Sequence, residues 1–454
     1  MWVKQIYTSC LAEASYYIDS NGEAIIIDPI RDTKPYIDLA RQRNTRIKYI
    51  FETHFHADFV SGHLELSRLT GAKIVFGPNA ITNYEVINAQ DGQFFQIGDL
   101  KLKVLHTPGH TPESSCYLLF NARGEEEAVF TGDTLFIGEV GRPDLAVSDE
   151  LSQNDLAEHL YNSLHNVLMK LPNDVKVFPA HGAGSACGKN ISDEKHSTIG
   201  QQKKENYALQ PMSMLEFVDK VLDGIKQPPG YFSHDVDLNR NGYSSAASII
   251  NKSLNPLSYI DIDKHVINGA ILLDVRMPSE FEKHFYENSI NIGKAGMFAP
   301  WVGTLIDPNA SVIIICNQGE QNEVISRLTR IGYHNVLGYA EINSLPPDKL
   351  TTQIHSISAG NINRELDLGV SILDVRRLDE FKNGHIENAI HIPLEALNNR
   401  LDELNKNKNY LIYCAGGYRS MVACSICKKN GYDNVKNIYG GFGSILQSNN
   451  VHIV

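Results

Sequence analysis

No stretch of this sequence is able to cross a membrane as a helix. Its longest purely apolar runs are short, such as "AIII" at 24–27 and "VIIIC" at 312–316, against the roughly 20 residues a bilayer core requires, so no membrane partner is expected. A basic excess is also missing. The net charge is −12, whereas proteins that grip a phosphate backbone carry a basic patch, and nucleic acid is therefore not an expected partner. Cysteine is sparse and odd in number, seven in 454 residues. Such usage argues against a disulfide framework and suits a reducing cytoplasm, where thiols act as nucleophiles or simply pack. The opening stretch, "MWVKQIYTSCLAEASYYIDS", lacks the continuous apolar core and cleavage site of a secretory leader. A cytoplasmic protein is the expectation, long enough for two or three cores.

What the sequence does contain is an internal repeat. "AILLDVRMPSEFEKHFYENSINI" (270–292) answers to "VSILDVRRLDEFKNGHIENAIHI" (370–392), and the stretch from 311 to 336 answers to that from 409 to 435. A period near 100 residues is too long for a solenoid unit and means two tandem domains. Each copy reads strand, turn, helix, strand, cysteine-opened loop, helix, the alternation of a parallel sheet covered by helices. Before residue 200 the pattern changes to short strands with few helices, and metal-type residues recur at strand ends: His54, His110, Asp133 and His181. Two sheets packed face to face with helices outside, an αββα sandwich with a site along one edge, fit that layout. The segment "KQPPGYFSHDVDLNRNGYSS" (226–245) reads as loop or linker. The expected domains are 1–250, 255–350 and 355–454.

Four motifs carry the N-terminal chemistry: "THFHAD" (53–58), "TPGHTPES" (107–114), "FTGDTLF" (130–136) and "PAHG" (179–182). In this order they resemble the metallo-β-lactamase superfamily. In its binuclear hydrolases one zinc would take His54, His56 and His110. A second would take Asp58, a histidine at 59 and His181, with Asp133 bridging. Here position 59 is Phe59, which removes one ligand and favours a single metal. Two histidines and a carboxylate with open positions opposite form the facial triad of non-heme Fe(II) oxygenases.

The resemblance extends to the persulfide dioxygenases, iron-dependent relatives of glyoxalase II. It implies one Fe(II) per chain on His54, His110 and Asp133, with His56, Asp58 and His181 orienting ligands from outside. "GEVGRPD" (138–144) resembles that family's Gly-Arg motif and puts Arg142 near substrate, and "HGAGSACG" (181–188) places Cys187 near the same pocket.

"YCAGGYRSM" (413–421) follows a strand and opens a helix. Small residues after Cys414 let backbone N–H groups converge on its sulfur, and with Arg419 and the helix terminus they favour a thiolate. The loop resembles the active loop of rhodanese sulfurtransferases, with four residues between cysteine and arginine. In the first copy, "CNQGEQN" sets Gln321 at the arginine position and adds Glu320, so Cys316 is expected to sit in a degenerate domain.

The resemblance covers nearly the whole chain as a dioxygenase–rhodanese fusion. The implied partners are low-molecular-weight persulfides, O2 and sulfite, and a homo-oligomer is expected. The reaction would oxidise a persulfide to sulfite and move a sulfane sulfur through Cys414. Two other readings stand beside it: a zinc thioester hydrolase of the glyoxalase II type with rhodanese appendages, and a non-enzymatic persulfide sensor or relay.

Overall fold

The computed structural model describes residues 2–454. One compact unit runs to Ala247 and includes Thr329–Gly332; the other comprises Ser248–Leu328 and Tyr333–Val454. The first holds two six-stranded sheets. Sheet one contains β1 (Trp2–Thr8), β2 (Glu13–Ser20), β3 (Glu23–Ile27), β4 (Arg46–Phe51), β5 (Lys73–Phe76) and β6 (Ile87–Asn88), side by side in that order. β1 to β3 pair antiparallel and β3 to β6 parallel. Sheet two contains β7 (Phe94–Ile97), β8 (Leu100–His106), β9 (Ser115–Phe120), β10 (Glu126–Gly132), β11 (Lys176–Pro179) and β12 (Ser197–Thr198), again in sequence order. Its pairings are antiparallel except β10 with β11.

The residue alternation explains the stacking. In β9, Tyr117 and Leu119 point into the space between the sheets, where they meet Tyr16, Ile18, Ile25 and Phe51 from the other sheet. Cys116 and Leu118 point the opposite way, onto Leu160, Leu164 and Phe217 of the outer helices Gln153–Asn166 and Met214–Leu222. A strand apolar on both faces is what burial on both faces demands. Each apolar side chain removed from water there contributes about 1.5–3 kcal/mol. The αββα sandwich read from the sequence is the fold, and all nine expected strands are present. β6, β7 and β12 escaped the reading because they are short edge strands.

Residues 226–245 differ from the expectation of loop or linker. They contain an α-helix, Phe232–Asn241, that begins just after Pro228 and Pro229 and ends at Gly242 (φ 93°). Prolines before a helix and a glycine after it are terminus signals, and they outweighed the polar composition.

The second unit holds the two repeat copies. Copy one is a parallel sheet of β13 (Ile271–Asp274), β14 (Ile290–Asn291), β15 (Val312–Cys316) and β16 (Val336–Glu341), in the order β14-β13-β15-β16. Copy two adds β17 (His355–Ile357) to β18 (Ser371–Asp374), β19 (Ile390–His391), β20 (Tyr410–Tyr413) and β21 (Val435–Ile438), in the order β17-β21-β20-β18-β19. All are parallel. The order repeats strand for strand. So does a buried ion pair after the first strand of each copy: Arg276 Nη2 lies 2.6 Å from Asp274, and Arg376 Nη2 lies 2.6 Å from Asp374. Among the described residues no helix is long and apolar enough to cross a membrane.

Candidate metal centre and sulfur-transfer loop

β4 delivers the Thr53–Phe59 stretch to the edge of the sandwich, the turn after β8 delivers His110, and β10 ends at Asp133. One ligand atom each from His54, His110 and Asp133 lies within 4.8 Å of the others, and all three residues are buried. His110 Nε2 is 3.5 Å and His54 Nε2 3.9 Å from Asp133 Oδ2.

Both tautomers are fixed from behind. Thr53 Oγ1 donates its only proton to Asp28 Oδ2 (2.9 Å), so it can only accept from His54 Nδ1 (2.9 Å). The Arg142 carbonyl accepts from His110 Nδ1 (2.8 Å). Each ring therefore carries its proton on Nδ1 and turns the Nε2 lone pair inward. His54 Nε2 and Asp133 Oδ2 are buried with no hydrogen-bond partner. Burying bare acceptors together is unfavourable unless a cation lies between them. These three residues form a metal-binding site, and the donor set fits one.

The remaining polar groups of the stretch are engaged elsewhere. His181 Nδ1 donates to Asp133 Oδ1 (2.8 Å), and its Nε2 faces Asp58 Oδ2 and Glu13 Oε2, each at 2.8 Å. Burial would lower its pKa, but Asp133, Asp58 and Glu13 outweigh that and raise it well above the usual range. His181 is thus an imidazolium that orients Asp133. His56 repeats the pattern: its Nε2 is 3.1 Å from Asp28 and 3.4 Å from Glu52. Burial opposes its charge, and the two carboxylates prevail. Phe59 lies against the His56 ring, with centroids 4.3 Å apart, and is wholly buried. Where the hydrolase pattern puts a ligand, this chain packs an apolar ring on an ion pair. Asp133 responds to the cations around it. Burial raises its pKa, yet His181 and His54 hold it well below the ordinary carboxylate range.

Cys187 comes to the same edge. Its sulfur groups with Asp58 and His181 within 4.8 Å, and burial pushes its thiol well up. Arg142 does not offer a free fork: Nε and Nη2 hold Asp144 (2.7 and 2.8 Å), Nη1 donates to the Ala186 carbonyl (3.3 Å), and Nη2 also donates to the Lys226 carbonyl. Its backbone N–H donates to the Cys187 carbonyl (3.0 Å). Any hold Arg142 has on a substrate acts through the 183–188 loop that it braces.

One supporting residue was invisible in the sequence. Asn239, on helix Phe232–Asn241, donates to the carbonyls of His56 and Phe59 (2.8 Å each) and accepts from Ser61 N–H (2.9 Å). It is 1% exposed, and it fixes the turn leaving the metal stretch. Asn239→Leu keeps the volume but strands three buried backbone groups, at about 1–3 kcal/mol each. We expect a thermal midpoint lower by several degrees and metal affinity weaker by roughly 10–100-fold, the usual cost of losing an outer support. Calorimetry and metal titration check both, and wild-type values would remove Asn239 from the site.

At the second chemical site, β20 leads into Cys414. Gly417 takes φ 100°, a left-handed conformation that suits glycine, and this aims its N–H at Cys414 Sγ (3.1 Å). Ser420 Oγ lies 3.4 Å from the same sulfur, and helix Tyr418–Lys429 begins immediately after. Oriented N–H donors and a helix N-terminus stabilise an anionic sulfur. Arg419 forks onto Glu380 (2.6 and 2.7 Å), and this bond holds the Glu380 carboxyl down at about 2. Cys316 differs. Burial, with Glu320 and Glu341 adding to it, pushes its thiol up to about 12. Cys424 and Cys427 are buried within the helix, where burial raises both thiols.

Comparison with known proteins matches this geometry. The metallo-beta-lactamase superfamily description matches residues 9–181, and the rhodanese-like domain description matches 260–341 and 358–448. The chain is 31% identical over 210 residues to the mitochondrial persulfide dioxygenase ETHE1 of Bos taurus, covering 45% of this chain and 73% of that protein. It is 36% identical over 170 residues to the hydroxyacylglutathione hydrolase of Tolumonas auensis, covering 37% of this chain and 60% of the relative. A crystal structure of a metallo-beta-lactamase from Staphylococcus aureus subsp. aureus COL superposes with TM-score 0.67 at 29% identity, covering 75% of this chain and 99% of that one. The chain therefore belongs to the metallo-β-lactamase superfamily. More particularly, it is a fusion of that domain with two rhodanese-like domains, related at similar identity to persulfide dioxygenases and to glyoxalase II enzymes. The match spans 60% of the Tolumonas relative and 64% of the human persulfide dioxygenase.

Proposed function

We propose that this chain is an iron-dependent persulfide dioxygenase coupled to sulfur transfer through Cys414, with its domains at 1–250, 255–350 and 355–454. The observation that carries the reading is the ligand inventory. His54, His110 and Asp133 leave unpartnered atoms converging on one point, while His56 and His181 are held as imidazolium ions by carboxylates and Phe59 replaces a ligand. A site with three protein ligands suits a metal that needs open positions for two reactants.

Bound there, iron(II) would supply the redox chemistry with O2. The chain's own part is to hold and orient. His181 fixes which Asp133 oxygen faces the site, Thr53 and the Arg142 carbonyl fix the histidine tautomers, and Phe59 presents an apolar wall on the His56 ring. Cys187 borders the same space, and Arg142 positions the loop that carries it. The overall reaction balances as persulfide, O2 and water giving thiol and sulfite. In the rhodanese step the Cys414 persulfide would pass its outer sulfur to sulfite, giving thiosulfate and regenerating the thiolate. Cys316, with its thiol raised, would serve structurally.

The test is metal analysis of protein purified without added metal, together with O2 uptake on glutathione persulfide. About one iron per chain is expected, with O2 consumed and sulfite formed. Zinc in its place, or no O2 uptake by iron-loaded protein, overturns the reading. A zinc thioester hydrolase is the second reading, favoured by the glyoxalase II relatives and by the proximity of Asp58, His181 and Cys187. It requires hydrolysis of S-lactoylglutathione by zinc-loaded protein. A sensor or relay would do neither reaction.

A further inference from the structure

Cys414 lies in a cavity of about 780 Å³ walled by both rhodanese copies. The seam between them is tight. Tyr418, in the active loop, donates its hydroxyl to the Gly293 carbonyl (2.8 Å), and Asn291 N–H donates to Ser425 Oγ (2.9 Å). Gly296 passes so close beneath the Tyr418 ring that a Cβ there would fall 2.5 Å from it. The copy with the raised Cys316 thiol is therefore built into the reactive site of its twin.

The wall it contributes is apolar. Trp301 is 9% exposed, while Met277 and Met297 remain 45% and 46% exposed, and all three line the cavity. Thioether side chains left in the open at a cavity wall adapt well to irregular organic surfaces. The charges in the cavity do not favour a small inorganic dianion. Arg419 is already neutralised by its fork onto Glu380, and Glu282 and Asp379 line the cavity against one further guanidinium, that of Arg377. A volume of this size falls in the range that encloses most of an organic ligand, roughly 300–1,000 Å³.

We propose that Cys414 is loaded by organic persulfides in preference to thiosulfate, and that Met277, Met297 and Trp301 of the first copy seat the organic body. This rests on the reading of Cys414 as a sulfur carrier. The Cys414 thiolate attacks the outer sulfur of R–S–SH, and a new S–S bond forms as the old one breaks. The thiolate R–S⁻ leaves, while the transferred sulfur keeps its proton as Cys414–S–SH.

The experiment uses the full chain. Single-turnover loading of Cys414 is followed by mass spectrometry, with pantetheine persulfide as the uncharged organic donor and thiosulfate as the inorganic one. Wild type is expected to load faster from pantetheine persulfide. The double variant Met277→Ser with Met297→Ser is expected to lower the ratio of the two loading rates about tenfold, the scale of losing two partial apolar contacts. Met277→Leu with Met297→Leu is expected to keep it. Loading from thiosulfate at an equal or higher rate, or a ratio unmoved by the serine pair, overturns the proposal while leaving Cys414 a carrier. Failure of both donors to load Cys414 overturns the carrier reading as well.

Discussion

His110→Ala is expected to purify without its metal and to consume no O2. The imidazole supplies one of three ligand atoms, and its removal leaves His54 and Asp133 alone on a labile ion. The loss should exceed the roughly 10–100-fold typical of an outer supporting residue. The variant also strands the Arg142 carbonyl, which accepts from His110 Nδ1, at about 1–3 kcal/mol, so its thermal unfolding must be recorded beside its metal content. Asp133→Ala should behave alike at the metal. It should also release His181, whose positive charge depends on Asp133 among its three carboxylates. Stoichiometric iron in either variant would sink the ligand assignment.

Cys414→Ser separates the two chemistries. A hydroxyl in this loop is not ionised near neutral pH as a thiolate is, so the variant keeps the shape of the loop and loses the sulfur carrier. The metal ligands belong to the other compact unit, and O2 uptake should remain within about twofold of wild type. Enzymatic thiosulfate should fall to the level of an enzyme-free control, with sulfite accumulating in its place. Cys316→Ser should leave the product ratio unchanged, since burial and Glu320 already hold that thiol protonated. Thiol and sulfite derivatives separated by chromatography report both results. Thiosulfate formed at the wild-type rate by Cys414→Ser would exclude this cysteine as the carrier.

The parts of the molecule legible in the sequence are those whose chemistry is local. His54 and Asp58 lie four residues apart, Cys414 and Arg419 five, and each pair follows a strand that its own apolar pattern declares. The tandem repeat was legible because both copies kept the same Asp-x-Arg pair and the same strand order. What could not be read depends on contacts distant in sequence. Glu13 reaches His181 across 168 residues and Asn239 reaches His56 across 183; neither position has a periodicity to mark it. Glu380 pairs with Arg419 from 39 residues away and changes what that arginine can offer a substrate. Arg142 shows the same limit: its place beside Cys187 was readable from a motif, but its saturation by Asp144 and two carbonyls was not.

Helix Phe232–Asn241 has a bearing on how the protein can be taken apart. The four metal motifs end at residue 182, and a gene fragment trimmed there would encode every ligand. Such a fragment would nevertheless lack Asn239 and also Tyr231, whose hydroxyl donates to the Asp58 carbonyl (3.3 Å). The turn carrying Asp58 and Phe59 would face solvent without the partners that shape it. The smallest autonomous metalloprotein in this chain thus extends to about Ala247, where the compact unit closes. Fragments cut earlier should express as chains that possess the ligands but hold metal poorly.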